Sequence, residues 1–265
     1  MRILRVVLIA LLAAVTAVYG MTRLQQSVSG VNVGPKISCD GTVLEVSVED
    51  PDSVLLTGVT ASDAQDGDLT GSIIVGGVSK LLQDNTAKVT YLVFDSDNNM
   101  ASCTRCIRYT DYQRPVIRVT QALNFTSDGT AAMVGCMTAE DVIDGDISDA
   151  IRISTLSATD EEGLYSVVAM VTNSMGDTAQ VKLPVIVQEA DASRPRINLT
   201  EYLVYLEVGG EFDAEDYLES MTIGSNTVPA SGVTVEGNVD TSAAGTYWIR
   251  YRYATGTTIL AVVVQ

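Results

Sequence analysis

The chain contains no histidine, which removes the commonest general base, the commonest zinc ligand and every hydrolytic triad built around an imidazole. Basic residues are scarce: 16 lysines and arginines stand against 33 aspartates and glutamates, for a net charge of -17. Binding to DNA or RNA needs a basic footprint to neutralise phosphates, so nucleic acid is not an expected partner. Cysteine is limited to 4 residues and tryptophan to 1. The apolar residues of the body rarely recur at helical spacing, which argues against a helical protein.

What is present is a repeat. Proline followed two positions later by isoleucine occurs at Pro35 and Ile37, Pro115 and Ile117, and Pro195 and Ile197, a period of about eighty residues that marks a tandem array. The first two repeats carry similar acidic turns, TASDAQDGDLT from Thr60 and TAEDVIDGDIS from Thr138. Each repeat then has an alternating segment, AKVTYLVFD from Ala87, YSVVAMVTN from Tyr165 and YWIRYRYAT from Tyr247. In the third, Tyr247, Ile249, Tyr251 and Tyr253 share one face and Trp248, Arg250 and Arg252 the other, the period of a half-buried strand. Many short strands separated by turn residues predict an all-β protein of antiparallel sandwiches. The exception is Phe212 to Met221, FDAEDYLESM, which reads as one or two helical turns.

The order GVTASDAQDGDLT, an alternating valine and tyrosine strand, then DSDNN or NSMGD, resembles the bacterial immunoglobulin-like domains found in tandem on cell-surface proteins. GNVDTSAAGTYWIRYRY from Gly237 is similar to the second half of that unit, while FDAEDYLESM stands where its acidic turn should be. The resemblance implies three tandem immunoglobulin-like β-sandwiches over 34–112, 113–189 and 194–265, and a surface location. It says little of activity, because this fold hosts many unrelated tasks.

Ahead of the repeats, Arg2 and Arg5 precede an uncharged run from Val6 to Thr22. That arrangement reads as an N-terminal transmembrane or signal helix over 1–23, followed by a polar stalk over 24–33. The run approaches the roughly 20 residues that span a bilayer, which favours a retained anchor. The expected location is the outer face of the plasma membrane, or secretion if the segment is cleaved.

Three features bear on chemistry. Asp63, Asp66 and Asp68, with Asp141, Asp144 and Asp146, could offer oxygens to calcium. A calcium site takes about 6–8 oxygens and each turn offers three carboxylates, so structural turns at Asp66-Gly67 and Asp144-Gly145 are the preferred reading and no cofactor is expected. Cys103 and Cys106 form a CTRC on a strand, where residues three apart face opposite ways, with Cys103 inward and Cys106 outward. Under the immunoglobulin-like resemblance, Cys39 on the first strand and Cys103 on the last run side by side and can form a disulfide; buried free thiols are the alternative. The stripe Trp248, Arg250 and Arg252 joins residue types enriched in binding hot spots, although a neighbouring domain could cover it and carboxylates pair its arginines.

These readings converge on a non-enzymatic, membrane-anchored rod that contacts a cell-envelope protein or glycan, with a carbohydrate-binding surface module as the alternative.

Overall fold

The computed structural model describes residues 34–126, 130–159, 161 and 163–265. The expected N-terminal membrane helix and stalk lie outside these residues. Among the described residues no helix is long and apolar enough to cross a membrane.

Among the described residues the fold is all-β, with six sheets that fall along the chain in three sandwich-like pairs. In the first pair, β1 (Lys36–Cys39), β3 (Val59–Asp63) and β4 (Gly67–Asp68) form one sheet. The facing sheet runs in the order β2 (Leu44–Val46), β7 (Met100–Tyr109), β6 (Thr86–Phe94), β5 (Ile74–Val78). Alternation decides the inside: Ala87, Val89, Tyr91 and Val93 of β6 are fully buried, while Lys88 and Phe94 between and beyond them are exposed. A short helix, Asp52–Leu55, links β2 to β3 and buries Leu55.

The second pair repeats this plan. β8 (Val116–Val119), β10 (Met137–Asp141) and β11 (Gly145–Asp146) make one sheet. The other runs β12 (Arg152–Ile153), β14 (Leu164–Thr172), β15 (Thr178–Val187), β9 (Asn124–Phe125), with β13 (Ser157–Ala158) also on β14. Register matches the first pair: Ile37 faces Ala61 across β1 and β3, and Ile117 faces Ala139 across β8 and β10.

The third pair sets β16 (Arg196–Leu199), β18 (Leu218–Ile223) and β19 (Asn226–Val228) against the order β17 (Leu203–Leu206), β22 (Gly256–Val264), β21 (Gly245–Tyr253), β20 (Thr234–Glu236). The helix expected from Phe212 is corrected here. Only Ala214–Tyr217 forms a 3-10 turn, started by Asp213 accepting the N–H of Glu215, and the chain then continues as β18. Met221 is buried in the core opposite Ile197, so burial in a pleat overrides a weak local preference for helix.

The second and third sandwiches belong to one compact unit, and the first forms another. Within the larger unit the core of the second sandwich extends into the third: Leu203 and Ala261 are buried in the same cluster as Ile117, Leu183 and Val185. A separate core, around Ile249, Tyr251, Leu260 and Val262, fills the third sandwich itself. Strand β22 therefore has both faces covered, which explains the near-continuous apolar run Ile259 to Val264.

Candidate functional site

The two acidic turns adopt the same construction. Asp63 accepts the N–H groups of Gln65 and Asp66, and Asp141 those of Ile143 and Asp144, each folding the chain into an Asx turn. Gly67 and Gly145 follow with φ of 78° and 70°, a region open to glycine at little cost. Asp68 then caps Thr70, and Asp146 caps Ser148. The neighbouring hydroxyl and amide hold both carboxyls below their usual range.

The middle aspartate reaches further. Asp66 accepts both the N–H and the hydroxyl of Ser96, and Asp144 accepts both from Ser174. Ser96 and Ser174 lie in the tight turns joining β6 to β7 and β14 to β15, so the DSDNN and NSMGD motifs are the receptors of these clasps. All six aspartates thus accept bonds from nearby chain, and among the described residues no group of three or more acidic or cysteine side chains is placed to hold a metal ion. The two repeats differ at the ends of the receiving turn, where Asp95 and Asn99 of the first stand as Asn173 and Asp177 in the second. The second sandwich has Asn173 donating to Asp141 and to the Tyr112 hydroxyl, while Asp177 accepts from Tyr112 and from Arg114. The first has Asp95 at the corresponding turn position, satisfied by Asp97 and Asn99.

Cys39 and Cys103 are joined as a disulfide with Cα atoms 6.5 Å apart. They do not lie on neighbouring strands as expected; β1 and β7 belong to opposite sheets, so the bridge crosses the sandwich. Cys106, of opposite parity on β7, and Cys136 are half-buried free thiols.

Sequence reasoning missed Arg105, one of the two residues between Cys103 and Cys106. Arg105 is 4% exposed, donates to the carbonyls of Leu55 and Thr57 and to the Tyr91 hydroxyl, and pairs with Asp40 at 3.3 Å. The signal was available: the parity that turns Cys103 inward turns Arg105 inward too.

Trp248, Arg250 and Arg252 lie together on the face of β21 opposite Ile249 and Tyr251, and the structure turns that face toward the second sandwich. Trp248 packs against the core of the second sandwich, with the Lys182 ammonium 5.7 Å from its ring centroid. Arg250 donates to Glu161 at 2.6 Å, and Arg252 lies between Glu161 and Glu236 at 3.5 and 3.2 Å. Tyr205 donates to the carbonyl of Ile117 in the same seam, and burial pushes its phenol up to about 12.

Residues 205–264 match the family model of the bacterial Ig-like domain (group 3). An uncharacterized 81.3 kDa protein of Acholeplasma phage L2 is 34% identical over 118 residues, which is 43% of this chain and 16% of the phage protein. Among solved structures, one of CBM51-2 in complex with GlcNAc and INT domains from Clostridium perfringens ZmpB is 15% identical, covers 58% of this chain and 42% of that one, and has a TM-score of 0.23. The protocadherin gammaB4 extracellular domain is 12% identical over 89% of this chain and 50% of its own, with a TM-score of 0.21. The human desmocollin-1 ectodomain is 12% identical, with coverage of 87% and 58% and a TM-score of 0.22. This chain therefore spans less than two thirds of each of these proteins. The match at 205–264 is consistent with the paired sheets of the third sandwich, and none of these likenesses assigns an activity.

Proposed function

We propose that the protein is a non-enzymatic array of three immunoglobulin-like sandwiches, held at the extracytoplasmic face of the plasma membrane by its N-terminal segment and serving adhesion, cell-envelope contact or spacing. The observation that carries this reading is the shared core of the second and third sandwiches, where Leu203, Ala261 and Trp248 close onto Leu183 and Val185. Tandem domains that meet through small polar interfaces move independently by default. A hydrophobic seam instead holds this pair in one orientation, which suits a structural spacer. The acidic turns support the same reading, since their carboxylates fasten hairpins and so act on shape.

Cell fractionation tests the proposal. The full chain should sediment with membranes and lose its sandwiches to protease added outside intact cells. Recovery in the cytosol, protected from external protease, would overturn it.

A carbohydrate-binding surface module is the second reading, supported by a polar groove between the second and third sandwiches.

A further inference from the structure

The groove runs along the junction of the second and third sandwiches and has a volume of about 720 Å3, inside the range of about 300–1,000 Å3 usual for small-molecule sites. Its walls come from β9, the connector between the two sandwiches and β16, with Thr257 and Thr258 of β22 also lining it. Both sides belong to one compact unit, so the walls are pre-positioned.

Two properties of the lining decide the chemistry. Charge is balanced: Arg194 and Arg196 are set against Glu189 and Asp191. Arg194 is further committed, donating to the main-chain carbonyl of Glu189 at 2.9 Å. A phosphate or carboxylate would gain no net field here, despite the presence of two arginines in so acidic a chain. The remaining polar groups are amides and hydroxyls, including Gln121, Asn124, Gln188, Asn198 and Thr222. Asn124 donates its amide nitrogen to the carbonyl of Thr257 at 2.7 Å, and Asn198 donates to the hydroxyls of Ser220 and Thr222 at 2.9 and 3.1 Å. Those bonds fix the planes of the two amides in the wall of the groove. Phe125 and Tyr202 add half-buried rings to the same walls. Mixed neutral donors and acceptors beside aromatic carbon complement a ligand whose hydroxyls both donate and accept and whose C–H faces are apolar.

We propose that this groove binds a neutral oligosaccharide, with Gln188, Arg196 and Asn198 as its principal hydrogen-bonding residues. The assignment rests on the carbohydrate reading above and names its site and ligand class. Arg196 is exposed on β16 and acts here as a hydrogen-bond donor to sugar hydroxyls.

Calorimetric titration of the full chain with maltotriose, cellotriose, chitotriose and, as an acidic contrast, trigalacturonate tests the proposal. At least one neutral trisaccharide should bind saturably and more tightly than trigalacturonate. Gln188→Ala with Arg196→Ala should weaken that binding about tenfold, the loss of one to two hydrogen bonds, while leaving the melting temperature unchanged. Asn198→Ala should weaken it too, and Arg196→Lys should restore part of the affinity lost in Arg196→Ala. No binding of any neutral trisaccharide, binding of trigalacturonate alone, or binding untouched by the double variant would each overturn the proposal. A chain that fractionates with membranes yet binds no sugar loses the groove assignment and keeps the spacing role; a cytosolic chain that binds sugar does the reverse.

Discussion

Asp144 holds Ser174 by two bonds, one carboxylate oxygen accepting the main-chain N–H at 2.6 Å and the other the hydroxyl at 2.6 Å. Asp66 holds Ser96 in the same way, at 2.8 Å for both. Each clasp ties a turn on one sheet to the hairpin of the opposite sheet, closing the sandwich at one end. The repeated motif in the sequence is the record of a repeated joint.

Removing a clasp should therefore loosen one sandwich. Asp144→Ala is expected to lower stability by about 1 kcal/mol, modest because the pair is exposed to water. Urea unfolding measures this, with Asp149→Ala, a nearby exposed aspartate, as the control. Because the turn carboxylates already accept protein donors, melting should also be unmoved by excess calcium or by chelator. A rise on calcium addition would assign these turns to the metal.

Arg105 should matter more than any acidic turn residue. Its guanidinium satisfies two carbonyls and the Tyr91 hydroxyl inside the first sandwich, and its charge is partnered by Asp40. Arg105→Ala removes the partner of the Thr57 carbonyl and of the Asp40 carboxylate, while the Leu55 carbonyl keeps its bond from the Tyr91 hydroxyl, and with Asp40 half-exposed it is expected to cost about 1–3 kcal/mol. Arg105→Lys should recover only part, since an ammonium lacks the planar fork. Equal stability of both variants with the parent in chemical denaturation would refute this role.

The seam between the second and third sandwiches should weaken when Trp248 is truncated. Trp248→Ala is expected to cost about 2–3 kcal/mol, below the usual loss for a fully buried ring because Trp248 is only partly buried. Glu161→Gln removes an exposed carboxylate shared by Arg250 and Arg252 and should cost less than about 1 kcal/mol. Scanning calorimetry should show the joint transition of the two sandwiches splitting in Trp248→Ala; a single unshifted transition would place their coupling elsewhere.

Thiol titration in denaturant should find two reactive thiols, Cys106 and Cys136, until reductant releases Cys39 and Cys103. Replacing both bridged cysteines by serine is expected to cost about 3 kcal/mol, by relaxing the constraint on the unfolded chain. Four reactive thiols before reduction would refute the bridge.

Stability should be flat from about pH 4 to 8, with losses on either side. Asp68, Asp146, Asp191 and Asp240 are held below the usual carboxylate range by adjacent serine or threonine hydroxyls and amides. Their contribution is complete above the unfolded value of about 3.9 and is lost as pH falls through the lower folded values. On the alkaline side burial raises the Cys136 thiol, and raises the phenol of Tyr205 to about 12. Those contributions are complete below the unfolded values of about 8.5 and 10, and are lost as pH rises through the folded ones. The chain has no histidine to titrate between these limits. Urea midpoints across pH check the plateau, and a slope through neutrality would contradict it.

Local chemistry in the sequence was enough for the class of fold. Alternation puts Val89, Tyr91 and Val93 inside and Lys88 outside, and the pairs Asp66-Gly67 and Asp144-Gly145 announce turns, because each signal depends only on neighbours along the chain. Parity also sorted Cys103 from Cys106, and would have flagged Arg105. Only the tertiary structure decided what lies across from each face. The stripe of Trp248, Arg250 and Arg252 meets the second sandwich, Leu218 to Met221 pairs as a strand, and Cys39 reaches Cys103 between sheets. A pleat states which side chains share a face; which body covers that face is settled by packing between residues far apart in sequence, where no local pattern is written.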